Sequence, residues 1–350
     1  MPNVVIPEDR ELLDAMIAYL EHASELYQPG PYWVQHTKRS SRQIRKYGVN
    51  DFRGRWRNSI GASFTDCAFV DHRRILPFGL ATDIRLLVMK LLKFHKIFNN
   101  QVDLTFDYYQ ELMHVMALHL QNSEDFKRLV SQYKIPQDTT RGGCLATCPL
   151  NGGEVAILYL DKLYEHDIMA KYINYASATS FFEIGGGFGA NVHLIIENYP
   201  NIRKIVYLDI PPNLYVGTQY LKSFFGESVV SYLQTKDKTS ISFSNNNDLE
   251  ILCIVPQQIE KLKLEVDIFH NAHSFVEMPK SVVQNYAKHI EKVLSDKAKV
   301  GLISYDCFDL GTTFHPDVLT SFFSRKFEKH AADCFIPSRR TKEQYFYVSR

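Results

Sequence analysis

The run Phe181-Phe182-Glu183-Ile184-Gly185-Gly186-Gly187-Phe188-Gly189 holds the strongest chemical signal in the sequence. Apolar residues lead in, an acid stands near the end of that lead, and glycines make a turn. An amphipathic stretch follows, with Val192, Ile195, Ile196 and Tyr199 on one face. Glycine is needed where a ligand approaches the backbone so closely that a Cβ would clash. Asp209 stands at the end of the next apolar run, one helix and one strand downstream, where a carboxylate can accept from ribose hydroxyls. Turn and acid together read as a nucleoside-cofactor site. A bare turn is the plainer reading, but it needs fewer glycines, and each costs about 1 kcal/mol of backbone entropy in a regular element. A second cluster, His270, His273 and Glu277, follows another apolar run. An imidazole just past a strand end is suited to take a proton from a poorly nucleophilic hydroxyl, and His273 is the choice for that base. Its plainer reading is a polar loop residue. Glu277 is expected to orient His273 or to bond a backbone N–H near Pro279. Asp306 and Asp309, past the next strand, are the alternative acids.

Gly185-x-Gly187-x-x-Ala190 also satisfies the dinucleotide fingerprint G-x-G-x-x-G/A. Three features favour S-adenosyl-L-methionine over a nicotinamide cofactor. Glu183 stands just before the glycines, where a dinucleotide fold wants an apolar residue. A methionine ammonium needs an acid nearby, whereas a pyrophosphate needs a helix N-terminus. Only two short strands follow the fifth, too little chain for a dehydrogenase's substrate domain.

The elements that must position these residues alternate between short β-type runs and helical runs, the mark of βαβ units and a parallel sheet. Strands are expected at 180–184, 204–208, 249–255, 266–270 and 300–305, with two late ones near 331–336 and 344–348. The first half reads as helices: Leu13, Met16, Ile17, Leu20 and Tyr27 recur at helical spacing, and 83–98, 104–120 and 124–133 carry further helix-compatible runs. The stretch 137–153, rich in Thr, Gly, Cys and Pro, reads as a linker or a loop over the site. This predicts a mainly helical substrate or accessory domain over residues 1–150 and a cofactor domain over 151–350.

Three segments resemble the sugar O-methyltransferase family: E-I-G-G-G-F-G from Glu183, Y-L-D-I-P from Tyr207, and V-D-I-F-H-N-A-H-S-F-V-E-M-P from Val266. L-Y-E-H-D-I from Leu163 resembles the family's approach to the first strand. The last of the three is the family-specific one. The likeness covers roughly residue 159 onward. It implies an α/β fold, a Rossmann-like class I methyltransferase sheet, mostly parallel with an antiparallel last strand. It also implies that Glu183, Gly185, Gly186 and Gly187 hold the methionine end, that Asp209 binds the ribose, and that Ile210 covers the adenine. Gln257 or Gln258 would reach the adenine edge, and Asn271 would line the pocket.

Residues 36–57 carry Lys38, Arg39, Arg42, Arg45, Lys46, Arg53, Arg55 and Arg57 against a single acid, Asp51, with Trp56 and other aromatics interleaved. A solvated basic helix face would look the same. Arg forks suit phosphate or carboxylate and aromatic faces suit sugar rings, so Arg53, Arg55, Arg57 and Trp56 are the candidate acceptor-binding residues. The acceptor expected is a small molecule or glycan, anionic or nucleotide-activated. RNA is the rival acceptor, but the net charge of +1 on the whole chain argues against a nucleic-acid partner. A catalytically inactive cofactor-binding protein is the reading from a different class. Cys144 and Cys148 lack a second Cys/His pair at zinc spacing, so no metal is expected. No apolar run is long enough to span a membrane, and a cytoplasmic protein, open to homo-oligomer formation, is the expectation.

Overall fold

The structure, a computed structural model, describes residues 5–53, 120–144, 146–305, 313–336 and 343–350. The helices expected at 83–98 and 104–120, apart from Leu120, lie outside the described residues, as do Arg55, Trp56, Arg57, Asp306 and Asp309.

Two helices open the described chain. In α1 (Arg10–His22), Asp9 Oδ1 caps the first turn by accepting from Leu12 N at 2.9 Å. The Pro-Gly-Pro sequence stops that pattern and Pro31 begins the next helix, α2 (Pro31–Tyr47), at the position where a missing N–H costs nothing. After α3 (Glu124–Gln132) the stretch expected as a linker forms a hairpin, β1 (Thr147–Leu150) and β2 (Gly153–Ala156). Its two turn residues, Asn151 and Gly152, both have positive φ, the conformation that suits the twist of a two-residue hairpin. The division expected between 150 and 151 falls on this turn.

From α4 (Ile157–Ala170) onward the elements are β3 (Ser180–Ile184), α5 (Ala190–Asn198), β4 (Lys204–Leu208), α6 (Asn213–Phe225), β5 (Val229–Val230), α7 (Tyr232–Thr235), β6 (Glu250–Ile254), β7 (Val266–Ala272), α8 (Lys280–Glu291), β8 (Leu294–Tyr305), β9 (Phe327–Asp333) and β10 (Glu343–Ser349). β3 and β4 have the expected bounds, whereas β5 and α7 fall outside the expected set and β8 begins at Leu294 rather than at 300. The eight-stranded sheet runs β5-β6-β4-β3-β7-β8-β10-β9. Pairings from β5 through β8 are parallel, and β10 inserts antiparallel between β8 and β9. Strand order reverses beside β3, so the ends of β3, β4 and β7 flank a topological switch point, where open α/β sheets bind ligands.

Alternation along the strands divides the core into two layers. Phe181, Ile205, Tyr207, Ile251 and Cys253 pack in one apolar cluster with α4, α5 and α6. Phe182, Val206, Leu208, Leu252, Ile254 and Phe269 pack in a second with α8. Leu12, Leu13 and Met16 of α1, with Ile44, Val49 and Phe52, belong to the first cluster, so the described N-terminal helices share a core with the sheet. Each such side chain contributes about 1.5–3 kcal/mol by leaving water. No helix among the described residues is long and apolar enough to cross a membrane.

Candidate active site

Buried on both faces, β3 delivers Glu183 and Ile184 to the switch point. The turn begins with Gly185 N donating to Leu208 O at 2.8 Å, and Gly185, Gly187 and Gly189 all have positive φ. A Cβ on Gly185 would lie 2.1 Å from Ser274 Oγ, and one on Gly186 would lie 2.4 Å from Glu183 Oε2. At these two positions the protein's own atoms already occupy the space a Cβ would need.

Two carboxylates converge beneath the turn. Asp209 Oδ2 accepts from Gly187 N at 2.8 Å and Oδ1 from Ile210 N at 2.7 Å. Burial pushes Asp209 up to about 7 against the pull of these two bonds, and the neighbouring Glu183 adds to the rise. Glu183 Oε1 accepts from Asn191 Nδ2 at 2.7 Å, while Oε2 has no hydrogen-bond partner among the described residues. Burial likewise raises Glu183 to about 7. His270 Nε2 stands 3.9 Å from Glu183 Oε1, but burial lowers His270 to about 3, so it is neutral and does not compensate the charge. Two buried, under-compensated acids, one with a carboxylate oxygen that has no partner among the described residues, suit a cationic ligand bearing N–H and O–H donors. The amino group and ribose of S-adenosylmethionine have that chemistry.

The remaining expected cofactor residues are placed differently from one another. Asn271 is fully engaged by the protein: Nδ2 donates to Ile184 O at 2.7 Å and to Ser274 Oγ at 2.6 Å, and Oδ1 accepts from Phe275 N at 3.2 Å. It braces the exit of β7 to the end of β3. Gln258 is buried, its Oε1 accepting from Val255 N at 3.1 Å and its Nε2 donating to Thr235 Oγ1 at 3.0 Å. Gln257 is exposed, and its backbone N–H donates to Tyr19 OH at 2.9 Å. Ile210 is half-buried beside Asp209.

Two residues longer than expected, β7 carries Asn271 and Ala272 inside the strand and leaves His273 as the first residue beyond it. His273 has φ 67 and ψ −32, and its N–H donates to Ile303 O at 2.8 Å. A non-glycine residue held there costs about 1–3 kcal/mol, and such strain concentrates at functional positions. His273 Nε2 lies 2.7 Å from Glu165 Oε1. Glu165 also accepts from Lys162 Nζ at 2.7 Å and from Gln344 Nε2 at 3.1 Å. Glu277 does not bond His273. Its Oε1 accepts from Tyr305 OH at 2.5 Å and its Oε2 from Trp33 Nε1 at 2.7 Å, so it ties α2 to the end of β8. Tyr305 completes the contact, its ring 5.3 Å from that of His273.

Glu165, Lys162 and Gln344 were not among the residues expected at the site. The signal was Glu165-His166-Asp167, three ionisable residues in succession inside a helix that is buried at all three. Buried charges in a row require partners, and the partners lie far away in sequence. The acceptor-binding residues expected in the basic stretch divide. Arg53 is turned inward and buried, its Nη1 donating to Thr139 O at 2.6 Å and its guanidinium 4.7 Å above the Phe188 ring. Lys38, Arg42, Arg45 and Lys46 are exposed on α2.

No family model and no curated protein matches the chain. Among solved structures it is similar to the mitomycin 7-O-methyltransferase MmcR, at 12% identity over 77% of this chain and 84% of that one, with a TM-score of 0.37. It is also similar to the pyocyanin biosynthetic protein PhzM, at 11% identity over 81% and 73%, with a TM-score of 0.38. A SAM-dependent methyltransferase of Leishmania major shares 10% identity over 65% and 82%, with a TM-score of 0.40. The α/β, Rossmann-like methyltransferase fold rests on the sheet itself: parallel strands ordered outward from β3, and an antiparallel strand inserted before the edge.

Proposed function

We propose that the chain is an S-adenosyl-L-methionine-dependent O-methyltransferase acting on a hydroxyl of a small molecule, with a sugar, nucleotide sugar or glycan as the acceptor. The observation that carries this reading is the pair of buried carboxylates at the adjoining ends of β3 and β4, one oxygen of Glu183 without a partner among the described residues, beside a histidine at the exit of β7. When bound, S-adenosylmethionine supplies an electrophilic methyl group. Glu183 accepts from its ammonium, Asp209 from its ribose hydroxyls, and the glycine turn keeps Gly187 N on Asp209 so that the carboxylate is held in place. His273 takes the proton from the acceptor hydroxyl. Glu277 keeps Tyr305 against that imidazole and α2 against the site. The sugar reading is supported by the sequence resemblance around N-x-x-S-F-x-E-M-P and by the exposed cations of α2, which suit an anionic acceptor.

Purified protein with methyl-labelled cofactor and a panel of nucleotide sugars, glycans and RNA tests the reading. Transfer to one sugar class, with turnover about 10²–10⁴ lower in His273→Ala and cofactor affinity retained, is expected. Tight NADH binding with no affinity for S-adenosylmethionine would sink it.

A further inference from the structure

The proton acceptor on His273 follows from what surrounds its other nitrogen. Glu165 comes from α4, 108 residues before His273, and receives three groups on one carboxylate. The Lys162 ammonium at 2.7 Å from Oε2 can only donate. Gln344 lies on β10, and its amide nitrogen donates to Glu165 Oε1 at 3.1 Å, since turned the other way its carbonyl oxygen would face a carboxylate. A carboxylate that accepts from both is ionised. Burial opposes that charge, but Lys162 and His273 hold Glu165 well below the usual carboxylate range. Glu165 thus has no proton to give, and the 2.7 Å contact requires Nε2 of His273 to carry the hydrogen. The opposite tautomer would set a lone pair against a carboxylate in a buried site.

Resting on the O-methyl transfer reading, we propose that Glu165 is a positioning residue that fixes His273 as the Nε2–H tautomer, so that Nδ1 is the atom that takes the acceptor's proton. Nδ1 has no hydrogen-bond partner among the described residues, so its lone pair is uncommitted, and because it is covered by protein the step requires the acceptor to displace what covers it. The unusual backbone of His273 serves the same end, since its N–H is tied to Ile303 O and its ring is presented to Glu165 from just beyond the strand. In the step, the acceptor O–H bond breaks and its proton forms a bond to Nδ1. The electron pair stays on the oxygen that receives the methyl group. The resulting imidazolium is stabilised by Glu165 through Nε2–H, and its Nδ1 proton later passes to water. Glu165 itself is not protonated at any stage, because Lys162 and Gln344 continue to hold it.

Long-range ¹⁵N correlation spectra of histidine-labelled protein test the assignment without cofactor or acceptor. At a pH where the ring is neutral, wild type should show Nε2 protonated and Nδ1 bare for His273. Glu165→Ala should lose that preference and lower kcat by about a hundredfold, with acceptor KM and cofactor affinity changed by less than about threefold. Glu165→Gln keeps an acceptor oxygen but not the charge, and should retain the tautomer while losing part of kcat. A wild-type spectrum with Nδ1 protonated would overturn the proposal, as would a Glu165→Ala protein with unchanged tautomer and turnover. Should Glu165→Ala fail to fold, the wild-type and Glu165→Gln spectra still decide. Failure of the function reading looks different: no acceptor would be methylated, whatever the tautomer.

Discussion

Replacing Glu183 by glutamine should change how the protein responds to pH, in a direction fixed by burial. The side chain is 2% exposed, and burial raises its carboxyl from an ordinary 4.5 to about 7. A carboxyl whose folded value is raised binds more protons in the native state than in the unfolded state, so stability falls as pH rises between the two values. The contribution is full below about pH 4, declines through the window up to about 7, and is lost above it. Over that window the cost of ionising Glu183 is on the order of 3 kcal/mol. Glutamine is isosteric, can still accept from Asn191, and has nothing to ionise. Thermal or urea unfolding of wild type and Glu183→Gln, each from about pH 5 to 8.5, should therefore give curves that diverge with rising pH, the variant gaining relative to wild type. Taking the difference removes the other titrating groups from the comparison. Saturating S-adenosylhomocysteine, whose ammonium can pair with Glu183, should shrink the divergence, because it stabilises the ionised wild type and not the variant. Parallel curves, or a variant that loses ground as pH rises, would refute the account of a buried, under-compensated carboxylate awaiting a cation.

Asp209→Ala should weaken S-adenosylmethionine binding by about 1–3 kcal/mol in calorimetry, the scale of a lost charged hydrogen bond, and unchanged affinity would count against the ribose role. Gly185→Ala should lower the melting temperature sharply, because φ is +77 and the new methyl would sit 2.1 Å from Ser274 Oγ. Adding Ser274→Gly should recover part of the loss but not the part due to φ, and full recovery would contradict the strain at that turn. Arg53→Ala should cost stability and leave the acceptor KM of the surviving folded protein nearly unchanged, since the side chain is buried with Nη1 on Thr139 O and the guanidinium over the Phe188 ring. A variant with normal melting behaviour and a raised KM would restore Arg53 to the acceptor site.

The sheet was legible because its signals are local. β3, β4, β6 and β7 are each a short apolar run followed by a turn, and Asp209 and the glycine run sit where those turns must be, whereas the two-residue β5 and the polar first half of β8 carry no such signal. What escaped sequence reasoning depends on direction and distance. Arg53 stands in a run of cations that looks like one solvated face, and nothing in its neighbours reveals that Thr139, 86 residues away, offers it a carbonyl. Glu165 reads as an ordinary helical acid until His273 and Gln344 are brought to it from two different strand ends. The hairpin at 147–156 did have a sign, Asn151-Gly152, but its flanks are Thr, Cys and Pro rather than alternating apolar residues. Only the folded turn shows that Ser274 and Glu183 also occupy the space a Cβ would need at Gly185 and Gly186.

The insertion of β10 between β8 and β9 also sets an order of assembly. β9 precedes β10 in the chain yet joins the sheet only through β10, which pairs with β8 on its other edge. Gln344 then meets Glu165 across 179 residues, one of the longest closures in the molecule, and such contacts are favoured only after the intervening chain has collapsed. The ends of β3 and β4 that carry Glu183 and Asp209, joined through α5, involve far shorter separations. Contact order therefore predicts that the two carboxylates come together before Gln344 reaches Glu165. On the proposed function, a chain at that stage would be able to hold the methyl donor before the groups that assist its transfer are in place.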